Sequence, residues 1–128
     1  MTDMNEPIIL YLPWPPTIND YWKPVRSALY LGRKGRLYRE AVAEAVREQM
    51  PGITLDERVM CEVTLYPPDS RVRDLDNYNK GLLDALTHSG MWLDDALIDQ
   101  LFVYRGVVRK PGVVKVELNP AGPVIPFA

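Results

Sequence analysis

A chain of 128 residues that is 47% hydrophobic and 25% charged carries enough apolar surface for one globular domain, which excludes a wholly disordered protein. Its single cysteine excludes an intrachain disulfide and a thiolate metal cage. No apolar run approaches the roughly 20 residues that span a bilayer, and residues 1–6 lack the basic and apolar parts of a signal peptide, so we expect a cytoplasmic protein with no membrane partner.

The first half of the chain predicts two strands and a helix. Residues 8–12 form an apolar run that indicates a strand, closed by the proline-rich segment 13–16. Residues 28–31 predict a short second strand, and the glycines in residues 32–35 indicate the turn after it. Apolar residues then recur at helical spacing, which predicts a helix that begins near Gly35 and is ended by Pro51 and Gly52.

The second half predicts three more strands and another helix. Residues 58–66 alternate loosely between apolar and polar side chains and indicate a strand in which Cys61 is buried and inert. Helical spacing predicts a second helix over residues 75–87, stopped near Gly90. Residues 101–104 and 113–118 indicate two strands with a turn at residues 110–112. The predicted fold class is α+β: a single domain over residues 1–128, with one mixed sheet, two main helices and irregular tails at residues 1–6 and 120–128.

The charges of this chain are unevenly distributed. A net charge of −2 argues against nucleic-acid binding through bulk positive charge. Between Asp20 and Glu40, however, there is no acid and there are six basic residues: Lys23, Arg26, Arg33, Lys34, Arg36 and Arg39. Six aspartates are concentrated in residues 74–99: Asp74, Asp76, Asp84, Asp94, Asp95 and Asp99. If the acidic part binds divalent cations, the basic part is left to face an anionic partner; the alternative is a solvated basic surface.

Two acidic segments stand out, although each could have an ordinary structural role. Asp74 lies where a helix N-cap is expected, and Asp76 could form a helical ion pair with Lys80. Asp94 and Asp95 could belong to a surface turn. Helical spacing also places Asp76, Asn77, Lys80 and Asp84 on the polar side of the second helix. The combination of these acids with a lysine favours a metal site over a separate structural role for each.

The ligand types indicate Mg²⁺ and hydrolysis of a phosphodiester. Mg²⁺ prefers oxygen ligands and keeps several waters, so a few carboxylates can hold it while leaving positions for a phosphate oxygen and a water. A nearby ammonium such as that of Lys80 would neutralise charge that develops on the phosphoryl group. Zinc is disfavoured because His88 is the only histidine and is expected to be structural or exposed.

The ordered motifs of this chain resemble the RusA family of Holliday junction resolvases. The resemblance is carried by residues 12–19 with an aromatic pair at residues 21–22, residues 35–39, residues 73–77 with Lys80, residues 84–86 and residues 90–95. It covers most of the chain. It implies a small homodimeric endonuclease that cuts four-way DNA junctions in recombination and repair with Mg²⁺, or with Mn²⁺ as a substitute, in a bacterial or phage setting.

The resemblance also implies roles for particular residues. It makes Asp74, Asp76 and Asp95 the metal-binding catalytic carboxylates and Lys80 the essential lysine beside them. Supporting roles fall to Asp94, Asn77 and Asn19. The DNA-binding residues that we expect are Arg71, Arg73, Lys23, Arg33, Lys34 and Arg36. A homodimer is favoured independently, because paired cuts in two strands of like polarity require two equivalent sites.

Two other functions remain open. A metal-dependent nuclease could act on flaps or forks, with Trp14, Tyr21 and Trp22 as stacking platforms for unpaired bases. Those aromatic side chains would otherwise pack in the core or in a dimer interface. A catalytically inactive junction-binding protein is the second alternative, and the presence of all four catalytic candidates argues against it.

Overall fold

The computed structural model describes residue 4 and residues 6–128, so most of the predicted tail at residues 1–6 lies outside the described residues. The strands are β1 Ile8–Pro13, β2 Trp22–Val25, β3 Ala28–Leu31, β4 Val59–Tyr66, β5 Ile98–Arg105 and β6 Val113–Pro120. The helices are α1 Ile18–Tyr21, α2 Arg33–Gln49 and α3 Asn79–His88, with 3₁₀ turns at Leu75–Asn77 and Asp95–Leu97. Within these described ranges, no helix is long and apolar enough to cross a membrane.

Four strands form one mixed sheet in the order β1-β6-β4-β5. β6 pairs antiparallel with both β1 and β4, whereas β5 runs parallel to β4 at the edge of the sheet. β2 and β3 form a separate antiparallel hairpin, which we call the β2–β3 hairpin. The predicted α+β class is confirmed, with this small second sheet as an addition.

The core lies between one face of the sheet and helices α2 and α3. Alternate residues of β4 are buried, among them Cys61 and Val63, and they meet buried side chains such as Val42 of α2 and Leu82 of α3. Burying a Val or Leu side chain contributes roughly 1.5–3 kcal/mol. The predicted burial of Cys61 is confirmed, and desolvation raises the pKa of its thiol to about 12.

Helix α2 begins two residues earlier than the sequence predicts. The glycines predict a turn over residues 32–35, but only Gly32 precedes the helix, as its N-cap. These glycines allow close packing instead: a Cβ on Gly32 would lie 2.7 Å from the carbonyl oxygen of Asp20, and one on Gly35 would lie 2.6 Å from that of Tyr21. The helix ends at Gln49, as expected, and Gly52 adopts a φ of 74° in the turn that follows.

The second predicted helix is divided. A 3₁₀ turn covers Leu75–Asn77, and α3 begins only at Asn79, so the polar side chains before and after this break do not share one helical face. The two C-terminal strands also differ from a simple hairpin, because β4 lies between β5 and β6. The apolar pattern identified both strands, but a pattern does not specify the neighbour with which a strand pairs.

Candidate active site

Asp74 and Asp76 lie on the 3₁₀ turn before α3 and are both exposed. Asp74 occupies the N-cap position of this turn, yet its side chain makes no capping hydrogen bond. Neither carboxylate forms an ion pair in the described part of the chain, so the expected helical pair between Asp76 and Lys80 is absent. Neither a helix cap nor a helical ion pair therefore accounts for these acids.

Asp94 and Asp95 open the second 3₁₀ turn, just before β5. The Asp94 carboxylate accepts a hydrogen bond of 2.9 Å from the backbone N–H of Ala96, so this residue caps the turn. The buried Trp92 anchors the preceding segment to the end of α3, where its indole N–H donates to the Thr87 hydroxyl at 2.7 Å. Asp95 is exposed and forms no ion pair with any residue that the structure describes.

The surroundings of Asp95 disfavour its negative charge. Partial burial raises the pKa of its carboxyl group, and the adjacent carboxylate of Asp94 and the charge of Asp84 act in the same direction. Lys80 opposes them and favours the ionised form. The structure thus brings Asp95 near Lys80, Asp84 and Asp94, and this acidic group would gain from a bound cation.

Asp84 belongs to a network that the sequence did not reveal. Its carboxylate accepts hydrogen bonds from the Tyr21 hydroxyl and from the Arg39 guanidinium, whose Nε and Nη2 lie 2.9 and 2.8 Å away. Tyr21 is fully buried, and the pKa of its phenol is raised by desolvation and by the bond to Asp84. The only sequence signal was an acid on the polar side of a helix, because Arg39 lies 45 positions earlier.

The carboxylates of Asp74, Asp76 and Asp95 fit Mg²⁺ by chemical type, since they are exposed oxygens that form no ion pair with any described residue. Their arrangement is less complete. In residue 4 and residues 6–128, no three His, Cys, Asp or Glu side chains are gathered closely enough to hold a metal ion. Asp95 has its acidic neighbours, while Asp74 and Asp76 lie on a different turn. One chain therefore supplies suitable ligands without assembling them into a closed site.

Arg71 and Arg73 differ in availability. Arg73 is largely buried: its guanidinium lies 2.8 Å from the Asp69 carboxylate and 5.7 Å from the centre of the Trp14 ring. Arg71 also contacts Asp69, at 3.2 Å, but most of its side chain is exposed. Of the two predicted phosphate ligands, Arg71 is free to reach a partner, whereas Arg73 holds the loop before the 3₁₀ turn in place.

The other predicted DNA-binding residues are all exposed. Lys23 and Lys34 share Asp20 as a partner, at 3.1 and 3.5 Å, which neutralises part of their charge. Arg33 and Arg36 lie on the first turn of α2 and form no ion pair among the described residues. Of the predicted supporting amides, Asn19 of α1 is exposed and Asn77 is partly buried. His88 is exposed at the end of α3.

The three aromatic residues that could serve as stacking platforms are packed within the protein. Tyr21 is fully buried, and the Trp14 ring lies 5.0 Å from that of Tyr78. Trp22 is partly buried, with the Arg39 guanidinium 5.8 Å from its ring. A packing role is thus observed for all three, and the full burial of Tyr21 leaves it no surface on which a base could stack.

Comparison with known proteins identifies the family of the chain. The model of a family described as "Endodeoxyribonuclease RusA" matches residues 13–119. The chain belongs to the RusA family. One RusA relative, the crossover junction endodeoxyribonuclease of Enterobacteria phage HK97, is 44% identical over 101 residues, which cover 79% of this chain and 83% of the relative. RusA of Escherichia coli strain K12 is 37% identical over 111 residues, which cover 87% and 92% of the two chains, and RusA of Enterobacteria phage 82 gives the same values.

Proposed function

We propose that this protein is a metal-dependent endodeoxyribonuclease that resolves four-way DNA junctions by paired, symmetric hydrolysis of phosphodiesters. The observation that carries the proposal is a set of exposed acids that form no ion pair with any described residue, Asp74, Asp76 and Asp95, in a chain of the RusA family. The matched relatives bear the name crossover junction endodeoxyribonuclease. In this proposal, residues 1–128 form one endonuclease domain.

Asp74, Asp76 and Asp95 are the residues that would hold Mg²⁺, with Mn²⁺ as a substitute. When bound, the metal would polarise the phosphate and provide hydroxide near neutral pH. Asp94 supports Asp95 by fixing the turn on which it lies. The Lys80 ammonium lies close enough to Asp95 to influence its ionisation and would stabilise negative charge on the phosphoryl oxygens.

A homodimer would provide two such sites, and the two edges of the main sheet differ in a way that favours a particular contact. At the β1 edge, the Gln49 side chain accepts from the Tyr11 N–H at 2.8 Å and donates to the Tyr11 carbonyl at 2.7 Å, so the edge groups of Tyr11 are already paired. Among the described strands, β5 pairs only with β4, and its edge exposes about two fifths to half of Leu101, Phe102 and Tyr104. An unpaired apolar edge favours pairing with a second copy of the chain.

The dimer contact is tested by placing a charge on each edge in turn. Phe102→Glu on β5 should shift the mass in solution from twice the chain mass to the 14.6 kDa of one chain. Tyr11→Glu on β1 is the matched control and should leave the mass unchanged. Sedimentation equilibrium measures both. Equal masses for the two variants would exclude β5 as the contact.

The activity is tested with a synthetic immobile four-way junction and a linear duplex of matched sequence. We expect paired nicks in the junction when Mg²⁺ is present and none with a chelator. Asp76→Asn should lower the cleavage rate by about 10²- to 10³-fold, a typical loss when one group that stabilises the transition state is removed. Glu48→Gln, which neutralises an exposed acid on the outer side of α2, should cut like the wild type.

Three outcomes of this experiment would separate the alternatives. Preference for flaps or forks over the junction would change the substrate and keep the nuclease. Tight junction binding without cutting under any divalent metal would instead indicate a binding protein. Cleavage that survives in both Asp76→Asn and Asp95→Asn would exclude the proposed carboxylates.

A further inference from the structure

The β2–β3 hairpin exposes more than half of each of three apolar side chains. It stands apart from the main sheet, and Val25, Leu29 and Tyr30 are 52%, 65% and 56% exposed. A lone two-stranded hairpin is at best marginally stable in water, and exposed apolar side chains do not improve its stability. Large exposed apolar groups on such an element indicate a binding surface.

The register of the hairpin places aromatic and cationic side chains on one face. Tyr30 lies directly opposite Lys23, and Val25 lies opposite Ala28, so these four side chains share a face. The opposite face carries Trp22 and Leu31, which are partly buried against the domain, and also Pro24 and Leu29 near the turn, which are exposed. The face with Tyr30 therefore points away from the protein.

Charge identifies the kind of partner that this face fits. From Trp22 to Arg39 the chain has no acid, and the nearby Asp20 offsets only part of the charge of Lys23 and Lys34, with which it pairs at 3.1 and 3.5 Å. Arg26, in the turn between the strands, is exposed and forms no ion pair with any described residue. Cations beside an exposed aromatic ring are the combination that binds single-stranded nucleic acid, because the cations meet phosphates and the ring stacks on a base.

The base of the hairpin is fixed to the neighbourhood of the candidate active site. The backbone N–H of Gly32, directly after β3, donates to the carbonyl of Tyr21, directly before β2, at 2.8 Å. Tyr21 donates through its hydroxyl to Asp84, and the charge of Asp84 acts on Asp95. The hairpin is thus joined through Tyr21 to α3, the helix that precedes the turn with Asp95.

We propose that the β2–β3 hairpin binds unstacked bases at the branch point of the DNA, with Tyr30 packed on a base and Lys23 and Arg26 on the flanking phosphates. The proposal rests on the proposed function in that branched DNA is the substrate. It assigns to Tyr30 the stacking role that the packed Trp14 and Tyr21 do not fill.

The test combines a change in the protein with a change in the DNA and measures the affinity for each combination. Binding is measured without divalent cation, so that the DNA strands stay intact. Tyr30→Ser should weaken binding to the four-way junction by about 10-fold or more, since one stacked base contributes roughly 1–3 kcal/mol. Replacing the bases at the crossover with abasic sites should weaken wild-type binding by a similar factor. Combining both changes should cost no more than either alone.

Two control variants distinguish base stacking by Tyr30 from a general loss of affinity for DNA. Tyr11→Ser removes an aromatic ring of similar exposure from β1 and should bind every DNA like the wild type. Arg26→Gln should weaken binding to all DNAs alike and lower the salt slope by about one.

Additive effects of Tyr30→Ser and the abasic sites would overturn the proposal, as would a Tyr30→Ser protein that dissociates into monomers, which would make the hairpin a subunit contact. If the wild type cuts the junction and the Tyr30→Ser variant binds it as tightly as the wild type does, the hairpin proposal alone is overturned. A wild type that neither binds nor cuts the junction would remove the proposed function as well.

Discussion

Two aspartates near α3, Asp84 and Asp95, have opposite surroundings. Asp84 is half-buried and held by the Arg39 guanidinium and the Tyr21 hydroxyl, so its charge is compensated within the fold. Asp95 is exposed, lies beside the Asp94 carboxylate, and has a pKa that is raised by partial burial and by its acidic neighbours. The charge of Asp84 therefore stabilises the fold through its partners, whereas the charge of Asp95 has no such stabilising contact.

The different surroundings assign a stabilising role to Asp84 and a functional role to Asp95. Compensated charges stabilise a fold, whereas uncompensated acids near one another cost stability and tend to persist at functional sites. Substitution of each residue should accordingly affect a different property, and three measurements test that division.

The largest expected effect is on catalysis. Asp95→Asn should lower junction cleavage by about 10²- to 10³-fold because a proposed metal ligand is lost. It should also remove any rise in melting temperature that Mg²⁺ gives the wild type, since an ion stabilises only the folded state that binds it. Differential scanning calorimetry with and without Mg²⁺ supplies this second readout. An Asp95→Asn protein that gains the full Mg²⁺-dependent rise would show that Asp95 does not hold the metal.

The second effect is on stability. Asp84→Ala should lower the free energy of unfolding by about 1–3 kcal/mol, because it leaves the Arg39 guanidinium and the buried Tyr21 hydroxyl without their shared acceptor. Urea unfolding measures the loss, and Asp95→Ala is the matched control with little expected loss. Arg39→Leu combined with Asp84→Leu should lose less than the sum of the two single changes, because the partners act as a unit. Strict additivity would contradict the network.

The smallest effect concerns pH and compares Asp95 with Asp69. The contacts of Asp69 with the Arg71 backbone and with the Arg73 side chain hold its pKa below 3.8, so it stabilises the fold above pH 3.8 and loses that contribution as the pH falls through its folded pKa. Asp95 has a folded pKa above 3.8, so its ionised form destabilises the fold at neutral pH, and this cost disappears as the pH falls towards 3.8.

Asn variants of the two residues should therefore differ in sign. At pH 7, Asp69→Asn should be slightly less stable than the wild type and Asp95→Asn slightly more stable, when no divalent cation is present. Both differences should shrink as the pH is lowered, and urea unfolding at pH 7 and pH 3 measures them. Shifts of the same sign for the two variants would contradict the assigned surroundings.

The sequence predicted where the strands and helices lie better than it predicted which strands pair with each other. The apolar run at residues 8–12 and the alternation at residues 58–66 identified β1 and β4, because burial of one face imposes a period on the side chains. The same period could not show the break between the 3₁₀ turn and α3, since both conformations place similar residues inward. It also did not reveal β2, whose four residues include Pro24 and expose three side chains.

The candidate site was predictable to a similar extent. Residue type and motif identified Asp74, Asp76, Asp95 and Lys80 as candidates, and the structure brings Lys80 near Asp95. The compensation of Asp84 by Arg39 depends on the packing of α2 against α3, which is a long-range contact. The exposed face of the β2–β3 hairpin depends on strand pairing, which a local pattern of residues does not specify.

The burial of Cys61 in the middle of β4 has a practical consequence for labelling. A thiol reacts as the thiolate, and with a pKa of about 12 in a closed core Cys61 stays unmodified while the protein is folded. A cysteine introduced at the exposed Ser27, in the turn of the hairpin, would therefore be the single position that a maleimide dye attaches to, without removal of the native cysteine. Fluorescence could then follow the hairpin on DNA in an otherwise unaltered protein.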